Sequence, residues 1–216
     1  MKKFEFTGET KTLANGATLH RIKALVRIGN VEAGTEGGWI EKEGNLSHDG
    51  NAWVHGDARV FGDAEVFGNA RVSDNAIVFG DARVFGNAEV FVNAEVFGDA
   101  RVSDNAIVFG DARVFGNAEV FGDAEVAGNA EVFGNAEVYN TTHYMVVGPI
   151  GSRNEFTTFF RTKNFEIKVA CGCFLGNIDE FLKKVEHTHG DSKHALVYKA
   201  AAELARLQID LNPEEN

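Results

Sequence analysis

Small apolar residues and polar residues alternate with a period of six through the middle of the chain. From Gly50 to Tyr139 the sequence divides into fifteen units of the form Gly-Asn/Asp-Ala-x-Val-x, with the glycine replaced only at Asp74, Val92 and Asp104. The Ala and Val of a unit are two positions apart, so an extended backbone points both to the same side. Gly followed by Asn or Asp tolerates left-handed backbone angles and predicts a bend after each short strand.

This pattern predicts a parallel β-solenoid. Three bends close a triangular coil of eighteen residues, which encloses three Val and three Ala. The fifteen units make five coils, which rise roughly 24 Å at about 4.8 Å between stacked strands. Weaker units that begin near Glu32, Gly38 and Gly44 predict a sixth coil.

The repeat over 50–139 resembles the hexapeptide-repeat, left-handed parallel β-helix superfamily. The left-handed sense of the coil is implied by this resemblance alone, as is assembly into a homotrimer around a parallel threefold axis. The preceding segments 20–25, 37–41 and 45–47 resemble a bacterial and prophage group whose members are often named acetyltransferases. In acyltransferases of the superfamily, a histidine general base projects into a cleft between subunits, often beside a loop that interrupts the coils.

The repeats themselves give little support to catalysis. No loop interrupts 50–139, and the histidine candidates are His55 at an outer corner and His48 one unit earlier. The segment Ser73–Phe91 recurs identically as Ser103–Phe121, a shift of thirty residues that moves each unit to a different face of the triangle. This shift indicates selection for the coil rather than for chemistry on one face. We therefore assign no catalytic residue, and an acyl-CoA-dependent acyltransferase stands as the alternative function.

Every third unit places its outward side chain on the same corner, and aromatic residues dominate two of the three corners. Two interpretations are open for these columns: stacking within one chain, or a subunit interface, because contiguous exposed apolar surface often marks one. The charged residues between Ala and Val predict ion pairs between coils, each worth about 0–1 kcal/mol. The three columns are Phe61, Phe79, Phe97, Phe115 and Phe133; Phe67, Phe85, Ser103, Phe121 and Tyr139; and His55, Ser73, Phe91, Phe109 and Ala127.

The predicted fold is therefore mainly β and has three parts. Residues 1–31 form an N-terminal β-hairpin cap with a turn at Asn15-Gly16. Residues 32–140 form the left-handed parallel β-helix, and the cap covers strand edges that its open end would otherwise expose. Residues 141–216 form a small α+β module.

The module is predicted from the point where the period of six stops. Asn177 N-caps a helix that runs to about Glu186, with Glu180 at the capping-box position, and a second helix runs from about Ser192 to Gln208. A module of this size holds only a small core, so we expect it to dock on the last coil. The predicted strands are His143–Val147, Phe156–Thr162 and Phe165–Ala170, with a tight turn at Lys163-Asn164.

The distribution of charge narrows the classes of partner. Residues 50–140 carry 5 Arg and 15 acidic residues, which accounts for −10 of the net charge of −11. Such a surface repels phosphate backbones, so no nucleic-acid polymer is expected as a partner. The apolar runs are shorter than the roughly 20 residues of a membrane span, and the N-terminus lacks the apolar segment of a signal peptide. We therefore expect a cytoplasmic protein without membrane contact.

A polar, glycine-rich loop at Gly148–Asn154 is the candidate binding site. Backbone N–H groups, hydroxyls and guanidinium groups suit a small anionic ligand, and 151–168 carries four cations against two Glu. An ordinary polar turn with solvated strand residues is the alternative interpretation. The candidate ligand-binding residues are Ser152, Arg153, Asn154, Thr158, Arg161 and Lys163.

Two further groups of side chains in the module have weaker signals. Cys171, Cys173, His187 and His189 are potential metal ligands, but their one-residue spacing does not match common zinc-finger spacings, so free thiols of a reducing compartment and no metal or cofactor are predicted. A cluster of aromatic residues either lines a base-stacking pocket or packs in the core. It comprises Tyr144, Phe159, Phe160, Phe174 and Tyr198.

Together these features predict a non-catalytic, trimeric β-helix scaffold. Its C-terminal module would bind or sequester a partner or a small anionic, nucleotide-like ligand. The resemblance of the N-terminal segments implies a phage or prophage origin, and sequestration of a nucleotide by such a protein is suggested only by analogy of shape.

Overall fold

The computed structural model describes residues 1–212 and consists mainly of short β-strands. Strands β1 (Phe4–Thr12) and β2 (Thr18–Ala24) form an antiparallel hairpin, and β3 (Glu36–Ile40) pairs with β2. One two-residue strand follows in each repeat unit. These are β4–β18: Trp53–Val54, Arg59–Val60, Glu65–Val66, Arg71–Val72, Ile77–Val78, Arg83–Val84, Glu89–Val90, Glu95–Val96, Arg101–Val102, Ile107–Val108, Arg113–Val114, Glu119–Val120, Glu125–Val126, Glu131–Val132 and Glu137–Val138.

Strands eighteen residues apart pair in parallel, as a three-sided coil requires. Glu95, for example, pairs with Ile77 on one side and with Arg113 on the other. The three resulting sheets have the orders β3-β5-β8-β11-β14-β17, β4-β7-β10-β13-β16 and β6-β9-β12-β15-β18. A further coil precedes the regular ones, because Trp39 pairs with Arg59 and Leu46 with Val66. The predicted parallel β-solenoid of five to six coils is confirmed, and its left-handed sense stays a prediction.

The interior of the solenoid contains the Ala and Val of the repeat. Each of these residues between Ala52 and Val138 is at most 2% exposed. Because strands of only two residues bring three walls close together, the interior accepts small Ala beside Val and little else. The repeat therefore fixes both the bend and the width of the coil.

Two of the three turn positions without glycine have a visible physical reason. Asp74 and Asp104 adopt a φ of +58°, and the Oδ2 of each accepts a hydrogen bond from a backbone N–H of the next coil, at Val92 and Gly122. These bonds help to offset the cost of a left-handed backbone conformation. Val92 itself has a φ of +63°, and nothing in the structure explains the valine.

The outward aromatic residues stack along the solenoid within one chain. Along the Phe61–Phe133 corner, neighbouring ring centroids lie 4.5–5.1 Å apart and the rings are nearly parallel. The rings are half-buried by this contact. Stacking within the chain is thus confirmed, and a subunit interface at these columns stays a prediction.

Some of the predicted ion pairs between coils are present. Arg113 bridges Glu95 and Glu131 with nitrogen–oxygen distances of 3.2 Å. Arg83 pairs with Glu65 at 3.4 Å. All five side chains are partly exposed, so each pair contributes little to stability.

The N-terminal hairpin closes the first coil. Phe4 and Ile22 are fully buried, and the Phe4 ring lies edge-on to Trp53 at 6.4 Å. Lys3 donates a hydrogen bond from Nζ to the carbonyl oxygen of Ala52 at 2.8 Å, and burial lowers the pKa of its ammonium group to about 8. The hairpin therefore covers apolar residues and satisfies backbone groups that the coil alone would expose.

The C-terminal module is a four-stranded antiparallel sheet with two helices. Its elements are β19 (Tyr144–Ile150), β20 (Glu155–Arg161), β21 (Ile167–Cys171), β22 (Phe174–Asn177), α1 (Ile178–His189) and α2 (Lys193–Gln208). The predicted capping box at Asn177 and Glu180 is present, and Ser192 N-caps α2. No helix among residues 1–212 has the length and apolar character needed to cross a bilayer. The last four residues of the predicted segment 141–216 lie outside the described residues.

Several predicted boundaries in the module are wrong. His143 ends a 3-10 helix instead of starting a strand, and β19 continues through Gly148–Ile150 because Ile150 pairs with Glu155. The loop is therefore a tight turn at 151–154. Strand β21 begins at Ile167, two residues later than predicted, and α1 extends to His189. Strand β22 was missed, because four residues with one glycine give almost no periodic signal.

The module docks on the last coil through β20. Thr158 Oγ1 accepts a hydrogen bond from the Glu131 backbone N–H at 3.0 Å, and the ring of Phe160 packs on the last ring of the aromatic column, Phe133. Thr162 pairs with Ala136 as an isolated antiparallel bridge. The expected docking on the last coil is confirmed.

Candidate functional site

A cleft opens in the module between two turns of the sheet and the two helices. The turn between β19 and β20 contributes Ser152 and Arg153, and the turn between β21 and β22 contributes Gly172 and Cys173. The two turns are adjacent because Thr157 pairs with Cys171. A methyl group on Gly172 would lie 3.7 Å from an Arg153 nitrogen. The cleft encloses about 220 Å³.

One face of α1 forms the opposite wall. Its lining side chains are spaced by three and four positions, which places them on a single stripe of the helix. The inner residues of the stripe are apolar and the outer ones polar, so the wall changes from an apolar floor to a polar rim. The residues are Phe181, Lys184, Val185 and Thr188.

Tyr198 of α2 forms the floor of the cleft. Its ring meets Phe181 edge-on at 5.5 Å and stacks on His189 at 5.7 Å with an interplanar angle of 30°. The hydroxyl lies 3.8 Å from Cys171 Sγ, and burial raises the pKa of Tyr198 to about 12, with a smaller contribution from the Cys171 contact. The hydroxyl therefore stays neutral and keeps its proton for donation. A methyl group on Gly151 would overlap this hydroxyl, with only 1.8 Å between them, so the turn packs directly on the floor.

The rim carries charge of both signs. The charged residues that line it are two cations, Arg153 and Lys184, and one carboxylate, Glu155. Glu155 also lines a second depression, where the module meets the acidic solenoid beside Asp111 and Glu131. A Cβ on Gly172 would lie 3.3 Å from a Glu155 carboxylate oxygen and 3.7 Å from an Arg153 nitrogen. The two opposite charges therefore lie close together at the sheet side of the rim, and Lys184 adds a cation on the helix side.

The structure separates the six candidate residues into two groups. Ser152 and Arg153 line the cleft, and Asn154 lies beside them in the same turn with a φ of +52°. The other three lie at the docking interface, away from the cleft. Thr158 binds the last coil, Arg161 is 2% exposed, and exposed Lys163 donates its backbone N–H to Asn135.

Arg161 is held by aromatic rings instead of by anions. Its guanidinium carbon lies 4.8 Å from the ring centroids of both Tyr139 and Phe165. Nη1 lies 3.3 Å from His143 Nδ1, so this imidazole nitrogen accepts the hydrogen bond and the proton is on Nε2. Among residues 1–212, Arg161 forms no ion pair and its Nε has no hydrogen-bond partner. With 2% of its surface exposed, Arg161 is not available to a ligand.

This arrangement predicts a dependence of stability on pH. Burial, and secondly the charge of Arg161, lower the pKa of His143 to about 4 against the opposing effect of Asp210. The unfolded chain binds a proton on this group at about pH 6.5, whereas the folded chain resists it. We expect the free energy of unfolding to fall between about pH 6.5 and 4, by up to about 3 kcal/mol from this group.

Chemical denaturation of wild type and His143→Gln across this range measures the contribution. The glutamine retains an acceptor for Arg161 but has no titrating group, so the variant should lose less stability on acidification. Parallel losses in both proteins would contradict the assignment to His143.

The sequence missed the wall supplied by α1. Lys184 and Thr188 lie in an ordinary amphipathic helix, and their spacing shows a shared face without showing what that face covers. The predicted aromatic cluster divides in a similar way. Phe174 and Tyr198 line the cleft, whereas Phe159 and Phe160 are buried on opposite sides of β20.

The potential metal ligands are brought only partly together. Cys171, Cys173 and His189 line the cleft, while His187 is an exposed residue of α1. Within residues 1–212, no three His, Cys, Asp or Glu side chains are close enough to hold a metal ion. Both cysteines are free thiols.

The two histidines of the alternative function lie far from this cleft. His48 stacks on Phe4 with 4.4 Å between ring centroids, and its Nδ1 accepts the backbone N–H of Lys3. His55 lines a surface depression beside Arg71 and Ser73. Burial and then the charge of Arg71 lower the pKa of His55. His48 therefore helps to hold the cap, and of the two histidines His55 lines a surface depression.

Comparison with known proteins agrees with the architecture. The family model described as YdcK β-solenoid repeat matches residues 70–86 and 100–116. The two matched segments have identical sequences and are related by the shift of thirty residues. The comparison with curated proteins found no match. The coils seen in the structure make the chain a parallel β-helix repeat protein, and the family match over these two short segments fits that architecture.

Proposed function

We propose that the chain is a non-catalytic scaffold whose C-terminal module binds a small anionic ligand in the cleft. One observation carries this proposal: Arg153 and Lys184, from a sheet turn and a helix, meet at the rim of a cleft with an aromatic floor. Concave sites with an apolar lining and a few convergent polar groups are the usual form of ligand sites.

The side chains of the cleft suit a ligand with an anionic group and a planar part. Arg153 offers a bidentate donor pair to a phosphate or carboxylate, and Lys184 adds a point charge. Phe174 and Phe181 offer apolar surface to a ring. Glu155 repels an anion but accepts hydrogen bonds from hydroxyl or amino groups. A nucleotide-like ligand combines all these features.

The solenoid serves in this proposal as the support that presents the module. The negative charge of the solenoid does not attract anions, whereas the two cations at the rim of the cleft favour an anionic ligand there. The proposed assembly is a cytoplasmic homotrimer joined along the aromatic columns. A mass in solution of three times 23.5 kDa would support this assembly, and a monomeric mass would refute it.

Isothermal titration with inorganic phosphate, pyrophosphate, AMP and acetyl-CoA tests the proposed function. We expect binding of at least one of the phosphate ligands, weakened about tenfold or more by Arg153→Ala or Lys184→Ala, because each loses a charged hydrogen bond. Lys183→Ala is the matched control, since this lysine neighbours Lys184 on α1 and does not line the cleft. Its affinity should equal that of wild type.

Two results would overturn this function. Absence of binding by all the phosphate ligands would refute an anion site. Acetyl transfer from acetyl-CoA by the wild type that persists in Arg153→Ala and is lost in His48→Ala or His55→Ala would instead support the acyltransferase alternative.

A further inference from the structure

Helix α2 has a second apolar face that is turned away from the core. Its buried face is formed mainly by alanines and Tyr198. On the other side, Leu196, Leu204 and Leu207 are 63%, 52% and 86% exposed, and exposed Ala200 lies between them. At 3.6 residues per turn these four residues share about 80° of the helix circumference, roughly opposite the core.

The neighbouring helix shows that this face is unusual for the module. The outward positions of α1 include Lys183, Lys184, Glu186 and His187, as expected of a helix that faces water. A helix with apolar residues on opposite faces usually buries both. The stripe of α2 is therefore a candidate contact surface.

The charges along α2 indicate what covers this stripe. Lys193 and Lys199 lie in its N-terminal half, and Asp210 follows its C-terminal end. Arg206 is already neutralised within the chain by Asp179, at 2.6 Å, and by Glu203. Asp191 precedes the helix, so the two lysines leave its start with a small positive charge. Asp210 beyond the end accepts hydrogen bonds from Asn212 and keeps its negative charge. An antiparallel copy would therefore place Lys193 near Asp210.

We propose that α2 pairs antiparallel with α2 of a second copy of this chain. Centring the pair between Ala200 and Glu203 places Leu196 opposite Leu207 of the second copy. The same register places Lys193 opposite Asp210. The small side chain of Ala200 near the crossing point permits close approach of the helices. A parallel arrangement would oppose Lys193 to its own copy and is disfavoured.

The interface is self-complementary, as a twofold dimer requires. Three leucines cover less than the about 800 Å² per partner of a standard interface, so the dimer dissociates on dilution. The inference is independent of the anion site, because none of these residues lines the cleft.

Sedimentation equilibrium of the full chain over a wide range of concentration tests the pairing. We expect the mass of wild type to double with increasing concentration, and the combined Leu196→Glu and Leu207→Glu variant to stay at half that value. Leu175→Glu is the matched control, because Leu175 is an exposed leucine of the same module on β22. Circular dichroism checks that all variants retain the fold. A concentration-independent mass, or equal masses for wild type and the double variant, would refute the proposal.

Charge exchange tests the antiparallel register. Lys193→Glu and Asp210→Lys should each weaken the dimer, and the combination should restore it by exchanging the two charges. Failure of the combination to restore dimerisation would refute the register. Pairing through α2 changes the mass by a factor of two, whereas a trimer joined along the aromatic columns would change it by a factor of three, so the two associations can be told apart.

Discussion

Replacing Gly50 by alanine is expected to be among the most damaging single-methyl additions to the solenoid. Gly50 has a φ of +71°, and a Cβ there would lie 2.3 Å from the carbonyl oxygen of Gly68 in the next coil. That oxygen already accepts hydrogen bonds from the backbone N–H groups of Asn51 and Ala52. The methyl group cannot be accommodated without moving the backbone of one coil relative to the next.

Gly134→Ala measures the cost of the left-handed backbone angle without a steric contact to a neighbouring coil. Gly134 also has a φ of +71°, but no coil follows the last one, and its Cβ would meet nothing within 4 Å. We expect Gly134→Ala to cost about 1–2 kcal/mol for the left-handed conformation, and Gly50→Ala to cost about 1–3 kcal/mol more from overpacking.

Urea denaturation followed by circular dichroism measures both losses. Equal losses of unfolding free energy would show that the distance between coils adjusts to an added methyl group, and that the glycines are needed only for the turn angle. A larger loss for Gly50→Ala would show that the glycine column also sets the distance between coils.

The second large effect is expected at Arg161, where size matters more than charge. The side chain fills a buried space between Tyr139 and Phe165, so Arg161→Ala should destabilise the module by about 3 kcal/mol through lost packing. Arg161→Met keeps most of the volume and removes a buried charge that has no carboxylate partner within residues 1–212. Such replacements are often neutral or stabilising.

Thermal unfolding of the two variants distinguishes the roles of Arg161. A melting temperature for Arg161→Met equal to or above that of wild type would assign the residue to packing. If the methionine variant were as unstable as the alanine variant, the guanidinium itself would be essential, through its contacts with the rings and His143. Binding of anions at the cleft should be unchanged in Arg161→Met, because Arg161 does not line it.

The comparison of Arg153 with Arg161 shows why the candidate site was predicted only in part. Both arginines lie near threonines in a polar segment, and the sequence offers no means of ranking them. Arg153 is in a turn, where side chains reach solvent, whereas Arg161 is at the end of β20, where Tyr139, Phe165 and His143 cover it. Which side of a strand is covered depends on docking, and docking depends on residues far away in the sequence.

Lys184 is a second residue whose place in the candidate site could not be predicted from the sequence. Its place on α1 was predictable from the capping box at Asn177 and from the helical period. Its proximity to Arg153 was not, because it requires that α1 fold back over the turn between β21 and β22. The short strand β22 leads the chain into α1 at this position, and its four residues have almost no periodic pattern from which the strand could be predicted.

The repeat alone is enough to predict the solenoid. Each coil repeats the same local instructions, with Ala and Val inward and a glycine or aspartate at the bend, and every residue contacts its equivalents eighteen positions away. Such a fold can be predicted from the period of the sequence, because the repeat that forms each strand also specifies which residue of the next coil it contacts. The cleft, the burial of Arg161 and the exposure of the leucines of α2 could be seen only in the tertiary structure. These features arise from contacts between elements without a repeating register, where the partner of each face is set by packing.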